Sequence, residues 1–204
     1  LSKRDPMSLF LRQTTAILWK DLKTEARTKE RLSAMCFFSI LVLLVFNFAF
    51  RPGSAEIRSA APGIFWVTVT FAGLLGLNRS FTIEQENDAL SGLLLTPSDR
   101  ATIYLGKAVG NFLTMAAMEA LVLPLLSVFL NVPIWDNLLR LLPSLFIGTF
   151  GFAAVGTLFS AMSINTRLRE AFLPMLTLPI LVPVLLVAVE TFRAVLEGEP
   201  LSAV

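Results

Sequence analysis

Five apolar runs, each close to the length needed to cross a lipid bilayer, constrain the fold of this 204-residue chain more than any other feature. A hydrocarbon core about 30 Å thick takes about 20 residues of α-helix at about 1.5 Å of rise each. The runs cover roughly residues 33–50, 60–78, 108–130, 141–163 and 171–189, with ends good to a few residues and short connections between them. Lipid offers the backbone no hydrogen-bond partners, so such segments satisfy their own amides as helices. Charged residues make up only 16% of the chain, against about 25% in soluble domains. The expected architecture is an all-α integral membrane protein. Residues 1–32 form a cytoplasmic tail and interfacial helix, and residues 33–204 form a single transmembrane domain with no soluble catalytic domain.

Basic residues set the orientation, because Lys and Arg accumulate in the cytoplasmic loops beside spans. Lys3, Arg4, Arg12, Lys20, Lys23, Arg27, Lys29 and Arg31 precede the first run, Arg79, Arg100 and Lys107 follow the second, and Arg167 and Arg169 follow the fourth. Only Arg51, Arg58, Arg140 and Arg193 fall on the opposite side. This asymmetry places the N-terminus in the cytoplasm and, with an odd number of spans, residues 190–204 outside; a bacterial inner membrane is the expected location. A cleaved signal peptide ending near Ser59-Ala60-Ala61 is a poor rival: the charged leader is too long and the apolar run exceeds an h-region of about 7–15 residues. The one cysteine, Cys36, lies inside the first run and reads as a small core hydrophobe.

Residues 7–32 read as a helix on the membrane surface, with Leu9, Leu11, Ile17, Leu18 and Trp19 toward the interface. Met7 can be the native start, and residues 1–6 receive no role. The most polar internal stretch, Glu84-Gln85-Glu86-Asn87-Asp88, opens a cytoplasmic elbow over about 84–100. There Asp88 can cap a short helix whose Leu90, Leu93 and Leu94 share a face, and Pro97 ends it. Thr96, with Asp99 three residues later, offers a box-like start for the helix of the third span. On pattern alone a solvated connection and a partner-docking helix explain this elbow equally well.

Within the spans, Gly106 with Gly110 and Gly156 with Ser160 are small-x-x-x-small pairs suited to close helix packing within the chain. Pro174 falls in the expected opening turn of span five, whereas Pro179 and Pro183 remove interior hydrogen bonds and predict a kink, serving either a hinge or static packing. Glu119 is the one acid well inside a span, and an intramembrane carboxyl is a functional candidate by default. The blander reading, which is favoured, has it neutral or bonded to a residue such as Asn47 or Ser39. Trp66 and Trp135 are expected at span ends, in the membrane interface.

Missing chemistry narrows the function. No G-x-x-x-x-G-K-[ST] motif is present, so the chain has no P-loop of its own. There is no histidine, which removes His-based metal sites, Ser-His-Asp catalysis and imidazole ligation of heme. Heme could be ligated only by Met, Cys36 or Tyr104.

Together, Ala61-Pro62-Gly63-Ile64-Phe65-Trp66-Val67, the elbow from Arg79 to Pro97 leading to Gly106-Lys107, and Leu178-Pro179-Ile180-Leu181-Val182-Pro183 carry a family resemblance. The chain resembles the permease subunits of ABC-2-type exporters, and more closely the heme exporter protein B (CcmB) family of cytochrome c maturation. That resemblance implies an interfacial helix, six spans, and a coupling helix at about 88–95 resting on a separate ATPase. The residues it assigns to ATPase coupling are Asp88, Leu90, Gly92, Leu93, Leu94, Leu95 and Pro97. Glu119, Pro179 and Pro183 are the intramembrane candidates. It further implies a CcmA-like ATP-binding subunit carrying ATP and Mg, CcmC-like and CcmD-like heme-handling membrane subunits, a second permease copy, and heme handled by the complex. Membrane lipid is the other expected contact, and no nucleic acid is expected. The resemblance calls for a sixth span beyond Val204, which leaves a truncated chain or an absent last helix as the readings. Two rivals stand beside this expectation: the same exporter architecture with a lipid-linked glycan, drug or ion as cargo, and a membrane enzyme using Glu119 or Glu84, Glu86 and Asp88 as a metal or acid–base site.

Overall fold

The computed structural model describes residues 6–86, 99–163 and 169–199. They form six α-helices: α1 Pro6–Thr28, α2 Glu30–Ala49, α3 Ala55–Glu86, α4 Arg100–Leu130, α5 Leu138–Ser163 and α6 Arg169–Glu197. A 3₁₀ turn, Trp135–Asn137, leads into α5. Five stretches are long and apolar enough to cross a membrane: α2, α3 as far as Ser80, α4, the 3₁₀ turn with α5, and α6 from Ala171. All five helices begin before their apolar runs, and α3 and α6 also continue past the far ends, because hydropathy marks the part of a helix that meets lipid and not the backbone hydrogen bonding that continues beyond it; α2, α4 and α5 end within a residue of their runs.

The expected helix over 7–32 is two helices. Lys29 adopts a left-handed conformation with φ 53°, which ends α1 and turns the chain into α2. Lys29 contributes no side-chain cap to α2, but Glu25 supplies one from the preceding helix: its Oε1 accepts from the Leu32 amide at 2.8 Å. Glu30 through Leu32 therefore belong to the first span. α4 is capped by Asp99, whose side chain accepts from the Ala101 amide at 3.2 Å, while Thr96 lies outside the described residues.

At the opposite end of the bundle, the α2–α3 and α4–α5 connections touch. The Gly53 amide donates to Leu130 O at 2.9 Å. Gly53 sits at φ 78°, and a Cβ there would lie 2.8 Å from Asn131 Nδ2, so glycine answers both the conformation and the close approach. Asn131, itself left-handed at φ 51°, closes α4. The basic-poor loops expected to share one side of the membrane thus share one end of the molecule.

α3 is the central helix, packed against α2, α4, α5 and α6, while α1 lies along α4 and α6 pairs with α5. Trp66 is a core residue of α3, only 1% exposed, and not the interfacial residue the sequence suggested. The apolar run begins six residues before Trp66, but the helix begins at Ala55, so the indole sits three turns inside. Its ring lies on Gly148 of α5, where a Cβ would come within 2.7 Å of two further ring atoms. Phe65 meets Trp66 edge-on at 5.4 Å and Phe192 of α6 at 5.2 Å between centroids. Trp135, by contrast, is 58% exposed at a helix end, as expected of an interfacial indole.

α6 continues through Pro174, Pro179 and Pro183 as one helix. Because it starts at Arg169, Pro174 is an interior residue and not part of the opening turn. Each proline deprives the carbonyl four residues back of its partner, and Pro183 does so to Pro179 itself.

Candidate functional site: a buried polar joint and an intramembrane cleft

Two polar features are built into this apolar bundle. The first lies where α1, α2, α4 and α5 meet, near the end from which α4 starts. Arg31, 5% exposed, donates from Nη1 to Asn111 Oδ1 at 2.8 Å and from Nη2 to Thr114 Oγ1 at 2.5 Å, with Nε 3.3 Å from Glu25 Oε2. Asn111 Nδ2 donates onward to Thr157 Oγ1 of α5 at 2.9 Å, and Thr114 Oγ1 to Gly110 O at 2.9 Å. One turn before Asn111 on α4, Lys107 is 3% exposed, with Nζ 3.3 Å from Asp21 Oδ2 of α1. Ionised side chains this far from water persist only when paired and hydrogen-bonded.

The glycine pair on α4 makes that geometry possible. A Cβ at Gly106 would meet Ile17 Cγ2 at 2.9 Å and Thr14 O at 3.2 Å, so α1 approaches α4 over a bare backbone and Asp21 reaches Lys107. Gly110 faces Leu18 and Asp21 at ordinary contact distance. The Gly106–Gly110 motif is therefore used within the chain, as is Gly156, which packs against Leu77 of α3. In the sequence, Arg31 and Lys107 were legible only as orientation signals. Their partners Asn111, Thr114 and Asp21 lie some 80 residues away, and the small-residue pair was the only local hint that α1 docks there.

The second feature is Glu119, 4% exposed on α4. Its Oε1 accepts from Thr149 Oγ1 of α5 at 2.5 Å. The expected partners are engaged elsewhere: Asn47 Nδ2 donates to Phe129 O, and Ser39 Oγ donates to Met35 O at 2.8 Å. Both sit on α2, whereas the Glu119 carboxyl is turned toward α5. Glu119 and Thr149 line a half-open cleft of about 380 Å³ between α4 and α5, walled by Phe112, Leu123, Leu142 and Phe146, with Trp135 toward one end. Phe112 stands edge-on to Phe146 at 5.4 Å. Such a slot suits an apolar ligand with one hydrogen-bonding group.

Pro179 and Pro183, on α6, do not line the cleft. Of the potential heme ligands, Tyr104 donates to Ala154 O at 3.0 Å and Cys36 is half-buried on α2; neither reaches the cleft. Asp88, Leu90, Gly92, Leu93, Leu94, Leu95 and Pro97 all lie outside the described residues, as does the short helix expected there. Among the described residues, no three His, Cys, Asp or Glu side chains are grouped to hold a metal.

A five-span bundle with a charged joint at one end and a solitary acid at mid-depth fits many transporters, and comparison with known proteins narrows the choice. The family described as CcmB protein matches residues 12–204. The chain belongs to the CcmB protein family. It is 31% identical over 184 residues to heme exporter protein B of Rhodobacter capsulatus, covering 90% of this chain and 84% of that protein. Heme exporter protein B of Pseudomonas aeruginosa is 28% identical over 195 residues, covering 96% of this chain and 84% of the relative. The Paracoccus denitrificans protein of the same name is 28% identical over 189 residues, covering 92% and 86%. Membership accounts for residues spread over the whole helical bundle, so this CcmB-family chain is a multi-pass membrane protein throughout its described length.

Proposed function

We propose that this chain is the transmembrane permease subunit of an ABC exporter complex serving heme export and cytochrome c maturation. The observation that carries the reading is the family match over residues 12–204, with relatives named heme exporter protein B aligned to 90% or more of the chain. ATP and Mg belong to a CcmA-like subunit. Heme is the cargo of the complex, handled with CcmC-like and CcmD-like partners, and a second permease copy completes the membrane domain. The chain sits in the inner membrane with its N-terminus in the cytoplasm, as the thirteen basic residues on that side favour.

In this reading the elbow over about 84–100 receives the motion of the ATPase. α4 starts directly after it, and within two turns α4 is tied to α1 through Lys107 and Asp21, and a turn further on to α2 and α5 through Arg31, Asn111, Thr114 and Thr157. Those buried contacts support transmission of a push on α4 to three other helices together. The permease contributes no hydrolysis of its own.

The relatives' names favour heme over a glycan, drug or ion as cargo. Purification from native membranes tests the assignment: an ATPase subunit and heme-handling membrane subunits should copurify in fixed ratio. Recovery with glycan- or drug-export components in their place would reject it.

A further inference from the structure

At the end of the bundle away from the elbow, a pocket of about 270 Å³ opens between the first two turns of α3, the Val132-Pro133 connection and the last turns of α6. Its floor is apolar, formed by Pro62, Val132, Pro133 and Leu196, and its charged walls are Arg58, Arg193 and Glu197. Arg58 stands one turn from the start of α3 and Arg193 one turn from the end of α6, so both guanidiniums lie at the level where the helices leave the hydrocarbon. Pro62, one turn deeper, places apolar surface below them.

Basic residues are scarce at this end of the chain. Only four of the seventeen are found there, and two of those four face one pocket. Arg58 makes no ion pair with any described residue. Arg193 pairs through Nη1 with Glu190 at 2.7 and 3.0 Å, an exposed contact of little strength that leaves its other donors available. Two guanidiniums beside one carboxylate, above an apolar floor at the membrane surface, match a molecule with a phosphate, an ammonium group and apolar chains.

We propose that this pocket is the headgroup site of a phospholipid bearing a primary ammonium, with Arg58 and Arg193 on the phosphate and Glu197 on the ammonium. The site is independent of the exporter reading, because the ligand is bilayer lipid and not cargo. A headgroup held here would fix the first turns of α3 to the end of α6, the two helices whose Phe65 and Phe192 meet in the core.

The test reconstitutes the full chain into bilayers of equal phosphatidylethanolamine and phosphatidylglycerol, and counts the lipids retained by native mass spectrometry. Wild-type protein should keep phosphatidylethanolamine at least about fivefold over phosphatidylglycerol. Glu197→Gln removes the ammonium partner at an exposed helix end and should bring that ratio to about one. Arg58→Gln with Arg193→Gln should lose the retained lipid altogether while the protein still inserts as a folded bundle with wild-type helix content. Soluble phosphoethanolamine in excess should not displace the lipid, since it lacks the chains that cover the floor. Equal retention of the two lipids by wild type, an unchanged ratio in Glu197→Gln, or displacement by the soluble headgroup would each overturn the proposal.

Discussion

At the scale of single residues, Glu119 sets the sharpest problem, because an acid in the middle of a membrane helix is either costly ornament or working group. Its geometry favours a packing role: the carboxyl accepts from Thr149 and so joins α4 to α5 along the cleft. Glu119→Gln keeps the accepting oxygen and adds only an amide donor, whose unmet burial costs about 1–3 kcal/mol at most. That variant should insert at normal levels and retain most transport. Glu119→Lys should fail, since it places an ammonium group among apolar walls without an acid to pair with. Transport assays normalised to inserted protein check both, and complete loss of transport in a fully assembled Gln variant would make Glu119 a proton- or charge-carrying group instead. The sequence made this residue conspicuous and misdirected its partner. Depth along a span can be read from an apolar run, but the direction a side chain faces depends on how helices pack, and α5 takes the place where Asn47 and Ser39 of α2 were expected.

At the scale of elements, the spans were legible because lipid demands long apolar helices, and the ends of α2, α4 and α5 fall within a residue of their apolar runs; the starts were not legible, because a helix needs no lipid to continue. The break at Lys29 is the clearest case: no glycine or proline marks it, and the charged pattern of residues 7–32 reads smoothly across it. What stabilises the turn is tertiary, since Glu25 at once caps α2 and holds Arg31. The joint between α1 and α4 yields a prediction of its own kind. Asp21→Lys places a second cation beside buried Lys107, and Lys107→Asp places a second anion beside Asp21, which also pairs with Lys20 at 3.3 Å; each single change should lower thermal stability by setting like charges against each other at low exposure. The double variant Asp21→Lys with Lys107→Asp restores an opposite pair across the same gap, so thermal stability should recover most of the loss. Non-recovery, with the two single losses simply adding, would mean the pair does not hold α1 to α4. The interaction energy from a double-mutant cycle decides this directly.

At the scale of the whole molecule, the bundle has two unlike ends. One carries the Gly53–Leu130 contact and the proposed lipid pocket. The other carries the buried joint, where α3 ends and α4 begins; in the sequence between them, acidic residues precede Leu90, Leu93 and Leu94, whose spacing would form a short apolar stripe on a helix. Such a stripe has no lipid to face if the loop is cytoplasmic, and a groove on an ATPase is the partner that the CcmB family reading supplies. Leu93→Asp with Leu94→Asp would place two carboxylates in that groove, where an unpaired charge costs several kcal/mol and exceeds what a short helix contributes by contact. ATPase copurification should drop at least tenfold while membrane insertion and the α1–α4 joint, separated from these residues by the start of α4, remain intact. Conservative Leu93→Met with Leu94→Met should keep both apolar volume and association. The comparison needs equal amounts of inserted permease, because a degraded variant also recruits nothing. Undiminished ATPase recovery with the two aspartates in place would move the coupling surface away from the elbow, and the α1–α4 end would then have to receive the ATPase through α1.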